Sequence, residues 1–539
     1  MNAQSANSPL LESPARRLLF AGLTLAALGL VSLGLSGCRV GPKYVAAAPP
    51  PPAPAYKESL PRAYAGTDNG TWKPAAPSDA MLKGKWWEVF HEPELNALEE
   101  QLNINNQNIA VYFQNFMAAR AIVSEARSGL FPTLGVSPSY TRQKSAGALR
   151  GTTATTTTGT GTGGTGTGTT TATSSGTTST VLSLPFDVSW EPDLWGKVRN
   201  TVLEQQNAAQ VSAATLENER LSEQADLAAY FFELRGQDAL QDLYNRTIVA
   251  DQKTLDLTRA LYEAGIDDQE SVAQAEVTLA NTQATAVGIA TNRALYEHAI
   301  ATLIGKPASS FSMPVKSLAT PVPSIPLGVP SQLLQRRPDI AAAERTMAEA
   351  NALIGVETAA YYPSLSLTGS GGLESSAIGT LFSAPALFWS AGASASETIF
   401  EGGLRRATVA QYRAQYDADT AAYKQTVLTA FQQVEDYLST LRITSDQILH
   451  EKTAVAAAQH YLDLATARYE TGLDPYLNVI TAQTTLLADQ QSQVSLEVQE
   501  MTAAVQLIQA LGGGWDTTQL PSATAINTPA GLNTVRNTP

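Results

Sequence analysis

A chain of 539 residues is long enough for several domains, and its 49 acidic against 35 basic side chains give a net charge of −14. That balance argues against general nucleic-acid binding, so no nucleic-acid partner is expected. A single cysteine excludes an internal disulfide framework and a cysteine-based zinc site. His91, His298, His450 and His460 are scattered without ligand spacing, so no metal and no diffusible cofactor is expected.

In chain order, Arg16-Arg17 precede an apolar run from Leu18 to Leu35. A charged stretch followed by an apolar one has the form of a secretory signal. The run ends in Leu35-Ser36-Gly37-Cys38, small residues before a cysteine, which resembles a bacterial lipobox. That resemblance implies cleavage before Cys38 and a covalent lipid on it, a tether that needs no spanning helix. The alternative is a transmembrane anchor, for which the run is short. Arg39 follows where lipoproteins held at an inner membrane often have Asp, which favours the outer membrane by analogy. Ala46 to Pro54 reads as an extended Ala/Pro linker. The cluster Trp86, Trp87 and Phe90 then reads as a packed anchor.

From Glu94 to Gly129 apolar residues recur at helical steps (Leu95, Leu98, Leu102, Ile109, Phe113), and Pro132 ends the helix. The period then changes to two. Leu134, Val136, Pro138 and Tyr140 alternate with small polar residues, as do Leu182, Leu184, Phe186, Val188 and Trp190. A third such segment follows Pro363, and a weaker fourth runs from Trp389 to Phe400. Each is near the ~10 residues that cross a bilayer as a tilted strand, with one apolar and one polar side. A soluble four-stranded sheet with one buried face has the same pattern. Between the first two strands, Gly151 to Thr180 is almost wholly Thr and Gly, a tract too poor in apolar groups to order itself. Four membrane strands cannot close on themselves. An open edge in hydrocarbon leaves backbone groups unpaired, so several copies must pool strands to about eight, twelve or sixteen.

No proline interrupts Gly196 to Glu263 or Gly403 to Glu470, each roughly 100 Å if helical throughout. Heptad spacing marks a seam on both: Leu227, Phe231, Leu234, Ile248, Leu255 and Tyr262 in the first, and Val427, Phe431, Val434, Leu438, Leu441, Ile448, Val455, Leu462 and Tyr469 in the second. Ordinary bundle packing explains this seam as well as a cylinder does. Each long helix ends in the same tight hairpin. Leu261-Tyr262-Glu263-Ala264-Gly265-Ile266-Asp267 is matched by Arg468-Tyr469-Glu470-Thr471-Gly472-Leu473-Asp474, at an offset of 207 residues (472 − 265). Gly265 and Gly472 suit the left-handed position that ends a helix. Asp474, before Pro475, suits the cap of the returning helix, and Asp267 holds the same place in the first copy. Upstream the offset becomes 231, since Phe131-Pro132 falls on Tyr362-Pro363. One module of helix, strand, loop, strand, long helix, hairpin and helix is used twice.

Motifs in a fixed order extend this reading: LSGC at 35–38, WWEVFHEPELNAL at 86–98, SWEPDLWGKVR at 189–199, LGVPSQLLQRRPDIAAAE at 327–344, YYPSLSL at 361–367, ETIFEGGLRR at 397–406, YETGLDPYLNVITAQ at 469–483 and ALGGGW at 510–515. With them the chain resembles the TolC-type outer-membrane efflux channels, in the NodT-like lipoprotein branch. The resemblance implies a mainly α protein with a membrane β part: a homotrimer with a helical periplasmic barrel of coiled-coil hairpins and a shared twelve-stranded outer-membrane β-barrel, four strands per subunit. It implies a passive exit duct for small molecules (drugs, toxic compounds or metal ions) in a tripartite pump. The partners would be a periplasmic adaptor, an inner-membrane transporter of the resistance-nodulation-division class and outer-membrane lipid. By the same resemblance Asp474, and more weakly Asp267 and Asp268, would form the periplasmic gate. Gly265, Gly472, Tyr262, Tyr469 and Arg468 would form the tip that meets the adaptor. Asp474 as a helix cap alone remains open.

This reading divides the chain into a signal peptide at 1–37, a lipidated N-terminus and linker at 38–85, and a first repeat at 86–305 with strands about 133–142 and 181–190 around a loop at 146–180. An equatorial connection at 306–336, a second repeat at 337–515 with strands about 364–373 and 389–400, and a tail at 516–539 complete it. Two rivals are a type I protein secretion duct and a lipid-anchored periplasmic coiled-coil scaffold without a pore. An enzyme reading lacks a nucleophile–base pair, a phosphate loop or a metal cluster.

Overall fold

The computed structural model describes residues 38–58, 84–144, 178–318, 321–323, 325 and 330–527. The expected signal peptide and most of the Thr/Gly tract lie outside the described residues. In chain order the principal elements are α1 (Pro93–Asn105), α2 (Gln107–Ser128), β1 (Thr133–Val136), β2 (Ser139–Lys144), β3 (Thr178–Trp190), α3 (Lys197–Glu263) and α4 (Gln269–Leu303). After a connection come the short α5 (Leu333–Arg336), α6 (Pro338–Ala359), β4 (Ser364–Ser375), β5 (Leu387–Ser396), α7 (Leu404–Glu470), α8 (Tyr476–Ala510) and a last turn, α9 (Ala523–Asn527).

The duplication is visible in helix lengths. α2 and α6 have 22 residues each, α3 and α7 have 67, and α4 and α8 have 35. The expected single helix from Glu94 to Gly129 is broken at Asn106. Its backbone leaves the helical region (φ −64°, ψ 125°), and its side-chain oxygen accepts from the Ile109 amide at 2.9 Å, capping α2. The amide of the same side chain donates to Glu223 and to the Leu303 carbonyl, both at 2.9 Å. These partners lie over a hundred residues away, so local periodicity misses the break. Arg337, 231 residues later, stands at the same break between α5 and α6.

The chain divides into two compact units, each assembled from three segments, so the division cuts across both repeats. The first unit holds the sheet (Glu125–Val202 and Leu353–Ala410, with the chain up to Pro42). All its pairings are antiparallel, with β1 and β2 both beside β3, then β4, then β5. β1 and β2 share one register against β3, for Thr133 faces Ser189 and Ser139 faces Ser183. They are one strand interrupted at Pro138, which has no N–H to give to the ladder. The fourth strand ends at Ser396, short of the expected Phe400. Ile399 and Phe400 stand almost wholly exposed beyond it.

Register puts the apolar residues on one face: Leu134, Val136 and Tyr140, then Leu182 to Trp190 at alternate positions, then Leu365, Leu367 and Leu373, then Leu387 and Trp389. Thr133, Ser183, Asp187, Ser189, Ser366, Thr368, Ser370 and Ser394 share the other. Nothing in the described protomer covers the apolar face; Leu134 is 71% and Trp389 80% exposed. The β1/β2 strand and β5 are the two edges, each with a single neighbour among the described residues.

The second unit is helical (Lys43–Ser124, Leu203–Ala352 and Gln411–Pro539). Trp86, Trp87 and Phe90 are buried in its largest core, with Leu95, Phe231, Phe232 and Leu507, as an anchor should be. The seam residues Leu227, Phe231, Leu234, Val427, Val434, Leu438 and Leu441 are buried too. Tyr262, placed on the seam by its heptad, is instead 45% exposed. Both repeats use one arginine position to hold a crossing segment. Arg235 bonds Glu94, Asp238 and the Pro314 carbonyl, while Asp238 also accepts from Arg293 and the Lys316 amide, fastening the inter-repeat connection. Its counterpart Arg442, 207 residues on, bonds Glu58, and Glu435 accepts the Lys57 and Glu58 amides, fastening the N-terminal arm.

Candidate functional site at the hairpin tips

Two hairpin tips, Leu261–Asp268 and Arg468–Pro475, lie together in the helical unit. Each long helix stops for the same reason. Gly265 and Gly472 both take φ 72°, the left-handed conformation in which a side chain costs about 1 kcal/mol or more. The Gly265 amide reaches the Tyr262 carbonyl and the Ile266 amide the Leu261 carbonyl, both at 2.9 Å. Gly472 and Leu473 repeat these bonds to Tyr469 and Arg468 at the same distances. This paired closure satisfies carbonyls that the helix end would leave open.

The caps of the returning helices fall one residue later than the sequence suggests. Asp268, not Asp267, caps α4 and accepts from the Ser271 amide at 3.0 Å. Pro475, not Asp474, occupies the cap of α8, and no side chain bonds there. Both displaced carboxylates are used otherwise. Asp267 accepts from the Tyr469 hydroxyl at 2.5 Å, from Ser271 Oγ at 2.9 Å and from the Asp268 amide at 2.8 Å. Asp474 is gripped by the Arg468 guanidinium through two bonds of 2.6 and 2.9 Å.

Burial opposes ionisation of Asp267, but the donors from Tyr469, Asp268 and Ser271 outweigh it and hold its carboxyl below the ordinary aspartate value. Hydrogen bonding from Arg468 lowers Asp474 likewise. Tyr469 moves the opposite way: burial first, then its bond to the Asp267 carboxylate, push its hydroxyl well above the usual range. Tyr476, its ring tilted against that of Tyr469 with centres 5.3 Å apart, is pushed up to about 12, by burial and then by the Asp251 charge.

The two tyrosines of the repeated motif therefore differ. Tyr469 is 3% exposed and ties the second hairpin to the first, while Tyr262 faces outward. Ile266 also reaches across, within 3.8 Å of where a side chain on Gly472 would begin. Of the residues expected at the tip, Gly265, Gly472, Tyr262, Arg468 and Asp268 are exposed at its surface, and Asp474 is half-buried. Asp267 and Tyr469 form its internal tie. Arg259 and Glu276, paired at 2.7 Å across the first hairpin, escape sequence reasoning because one lies on each arm with no local motif. Among the described residues no group of three or more His, Cys, Asp or Glu is arranged to hold a metal ion.

The expected lipidation residue, Cys38, is exposed. The chain behind it is pinned at once: the Val40 amide donates to the Trp195 carbonyl at 3.0 Å, and Asn200 donates to the Val40 carbonyl at 2.9 Å. No helix among the described residues is long and apolar enough to cross a membrane.

The family model described as "Outer membrane efflux protein" matches residues 98–306 and 329–513, one stretch per repeat. The chain is similar to the antibiotic efflux pump outer membrane protein ArpC of Pseudomonas putida, with 28% identity over 94% of this chain and 99% of ArpC. It is 30% identical to nodulation protein T of Rhizobium leguminosarum bv. trifolii over 90% of this chain and 96% of that protein. Among solved structures it is similar to the outer-membrane channel OprN, with a TM-score of 0.75, 27% identity, and 89% of this chain and all of that one covered.

Proposed function

The chain belongs to the outer membrane efflux protein family, and we propose that three lipid-anchored copies of it form one passive exit duct. It is an outer-membrane channel of an efflux pump, with its helical part as the periplasmic tunnel. The observation that carries the trimer is the sheet. Among the described residues its apolar face is uncovered, its other face is polar, and both edge strands lack a second neighbour. In hydrocarbon each unpaired backbone group costs several kcal/mol, so the edges must find partners. Three copies supply about twelve strands, an even number that leaves a polar interior.

Cargo would be small molecules delivered by a periplasmic adaptor and an inner-membrane transporter of the resistance-nodulation-division class. The antibiotic efflux named for one relative supports that cargo class over polypeptides. The energy would come from the transporter. Cys38, which is exposed, would carry the lipid.

The tips would be the gate and the adaptor contact. Three copies bring Asp267, Asp268 and Asp474 around one axis, a carboxylate ring that favours cations. The charge of Asp474 is matched by Arg468 in each copy, so Asp267 and Asp268 supply the uncompensated part. Reconstitution of the full lipidated protein in planar bilayers tests this reading. Discrete, cation-selective channels of low conductance are expected. Absence of any conductance from correctly folded protein would leave the scaffold reading in its place.

A further inference from the structure

The charged residues of the sheet are sorted by face. Successive side chains of a strand point to opposite sides, so the register settles which of them share one. Tyr140 pairs with Leu182, Arg142 with Thr180 and Lys144 with Thr178. Arg142 and Lys144 therefore stand on the face of Leu134, Val136, Tyr140 and Leu182, which is the apolar one. All of β2 is exposed. Asp187 pairs with Gly135 and Ser370, and Glu374 pairs with Ser183, which puts both on the polar face. Among the described strands the apolar face thus carries two cations and no carboxylate, and the polar face two carboxylates and no cation.

Position along the strand is equally definite. Thr133, Trp190, Ser364 and Ser396 are the strand ends next to the helices in sequence. The Cys38 segment belongs at that end, because the Val40 amide bonds the Trp195 carbonyl just past β3. Acyl chains on Cys38 would enter the leaflet on that side. Arg142 and Lys144 lie at the other end. A cation on the lipid face of a barrel is costly at the bilayer's midplane and nearly free at its rim. Arg142 is nine residues beyond Thr133 (142 − 133), about 30 Å along a strand, or a rise of about 23 Å at a tilt near 40°. A membrane barrel's apolar band is roughly 25 Å tall, so Arg142 falls at its outer rim. Tyr140, one same-face step below, is 63% exposed and sits where aromatic residues flank such a band. Lys144 lies one step further out, about 7 Å beyond Arg142.

Resting on the closed-barrel reading above, we propose that Arg142 and Lys144 of each copy bind the phosphates of an outer-leaflet glycolipid. Its acyl chains run along Leu134, Val136, Leu182 and Phe186 on the same face, and its phosphates meet the two cations. The Arg142 guanidinium offers a fork of donors that matches phosphate oxygens in pairs, and Lys144 adds a compact charge. Thr178 and Thr180, opposite them on the same face, supply hydroxyls at the level of the sugar. Asp187 and Glu374 point to the water side, where they do not repel the phosphates. A lipid of the other leaflet, at the Cys38 end, does not reach these cations.

The test titrates the purified full-length lipidated protein, delipidated in detergent, with lipid A carrying two phosphates, and counts bound lipid by native mass spectrometry. One lipid per chain is expected. Thr141→Arg with Arg142→Thr, combined with Gln143→Lys and Lys144→Gln, keeps composition and net charge but turns both cations to the polar face. This variant is expected to bind at least about tenfold more weakly, since two charge-assisted contacts are lost. Arg142→Gln with Lys144→Gln is expected to lose as much. Lipid A stripped of its phosphates, and phosphatidylglycerol with its single phosphate, are expected to bind the wild type poorly. Equal binding by the face-exchanged variant, or of phosphate-free lipid A, would overturn the site. Equal binding of phosphatidylglycerol would overturn its assignment to a glycolipid. A wild-type particle of three chains that takes up no lipid A would overturn the site and leave the duct standing. A single-chain particle would remove both.

Discussion

Tyr469 shows how far one side chain departs from what its motif suggests. It shares the repeated tip sequence with Tyr262, yet its hydroxyl bonds Asp267 of the other hairpin while Tyr262 faces outward. Tyr469→Phe removes this bond with little loss of packing and is expected to loosen the tips, raising the conductance of the resting channel several-fold; unchanged single-channel records would refute the tie. The depressed Asp267 carboxyl contributes stability that is fully present above the ordinary aspartate value of 3.8 and is lost as pH falls through its lower folded value. The wild-type tie should therefore hold at neutral pH and fail only in strong acid. Asp474→Ala leaves the Arg468 charge unmatched, so cation selectivity should fall, whereas in Asp474→Ala combined with Arg468→Ala it should stay near the wild-type value. Reversal potentials in a salt gradient distinguish the two. Glu99 behaves in the opposite sense. It is wholly buried with no hydrogen-bond partner for either oxygen, and burial holds its carboxyl well above 4.5. The folded group keeps its proton where the unfolded chain loses it, so its contribution is complete below the ordinary value and falls as pH rises beyond it. Glu99→Gln should raise the apparent melting temperature by a few degrees at about pH 8 and leave it nearly unchanged at about pH 4; an equal effect at both would contradict the neutral buried acid.

At the scale of elements, β3 and β4 meet at a crowded point. A Cβ on Gly372 would collide with the Leu184 carbonyl beside Pro185, whereas one on Gly369 would meet only the Ser390 carbonyl at 3.9 Å. Gly372→Val should disrupt this pairing and sharply lower the yield of heat-resistant oligomer on gels, while Gly369→Val should be tolerated. Equal yields would mean the register is not held there. Much of this architecture was legible beforehand. The tip glycines fixed both hairpins and the offset of 207, and absent prolines set the two 67-residue helices almost to the residue. Alternation marked the strands because one face is apolar along each. What escaped was set by distant partners: the break at Asn106, made by Glu223 and Leu303, and the burial of Tyr469 against Asp267. The caps moved from Asp267 to Asp268 and from Asp474 to Pro475 because Tyr469 and Arg468 draw those carboxylates away. A local capping rule sees neither arginine nor tyrosine.

For the whole molecule, the protomer is incomplete at two places at once. Its sheet has an uncovered apolar face and two edges, and its helical unit has unpartnered seams on α4 and α7. Copies of itself would complete both. The most direct test is the mass of the intact, detergent-extracted protein released from its micelle in native mass spectrometry. Three chains per particle is the expected result. A stable particle of one chain, soluble without detergent, would contradict the account.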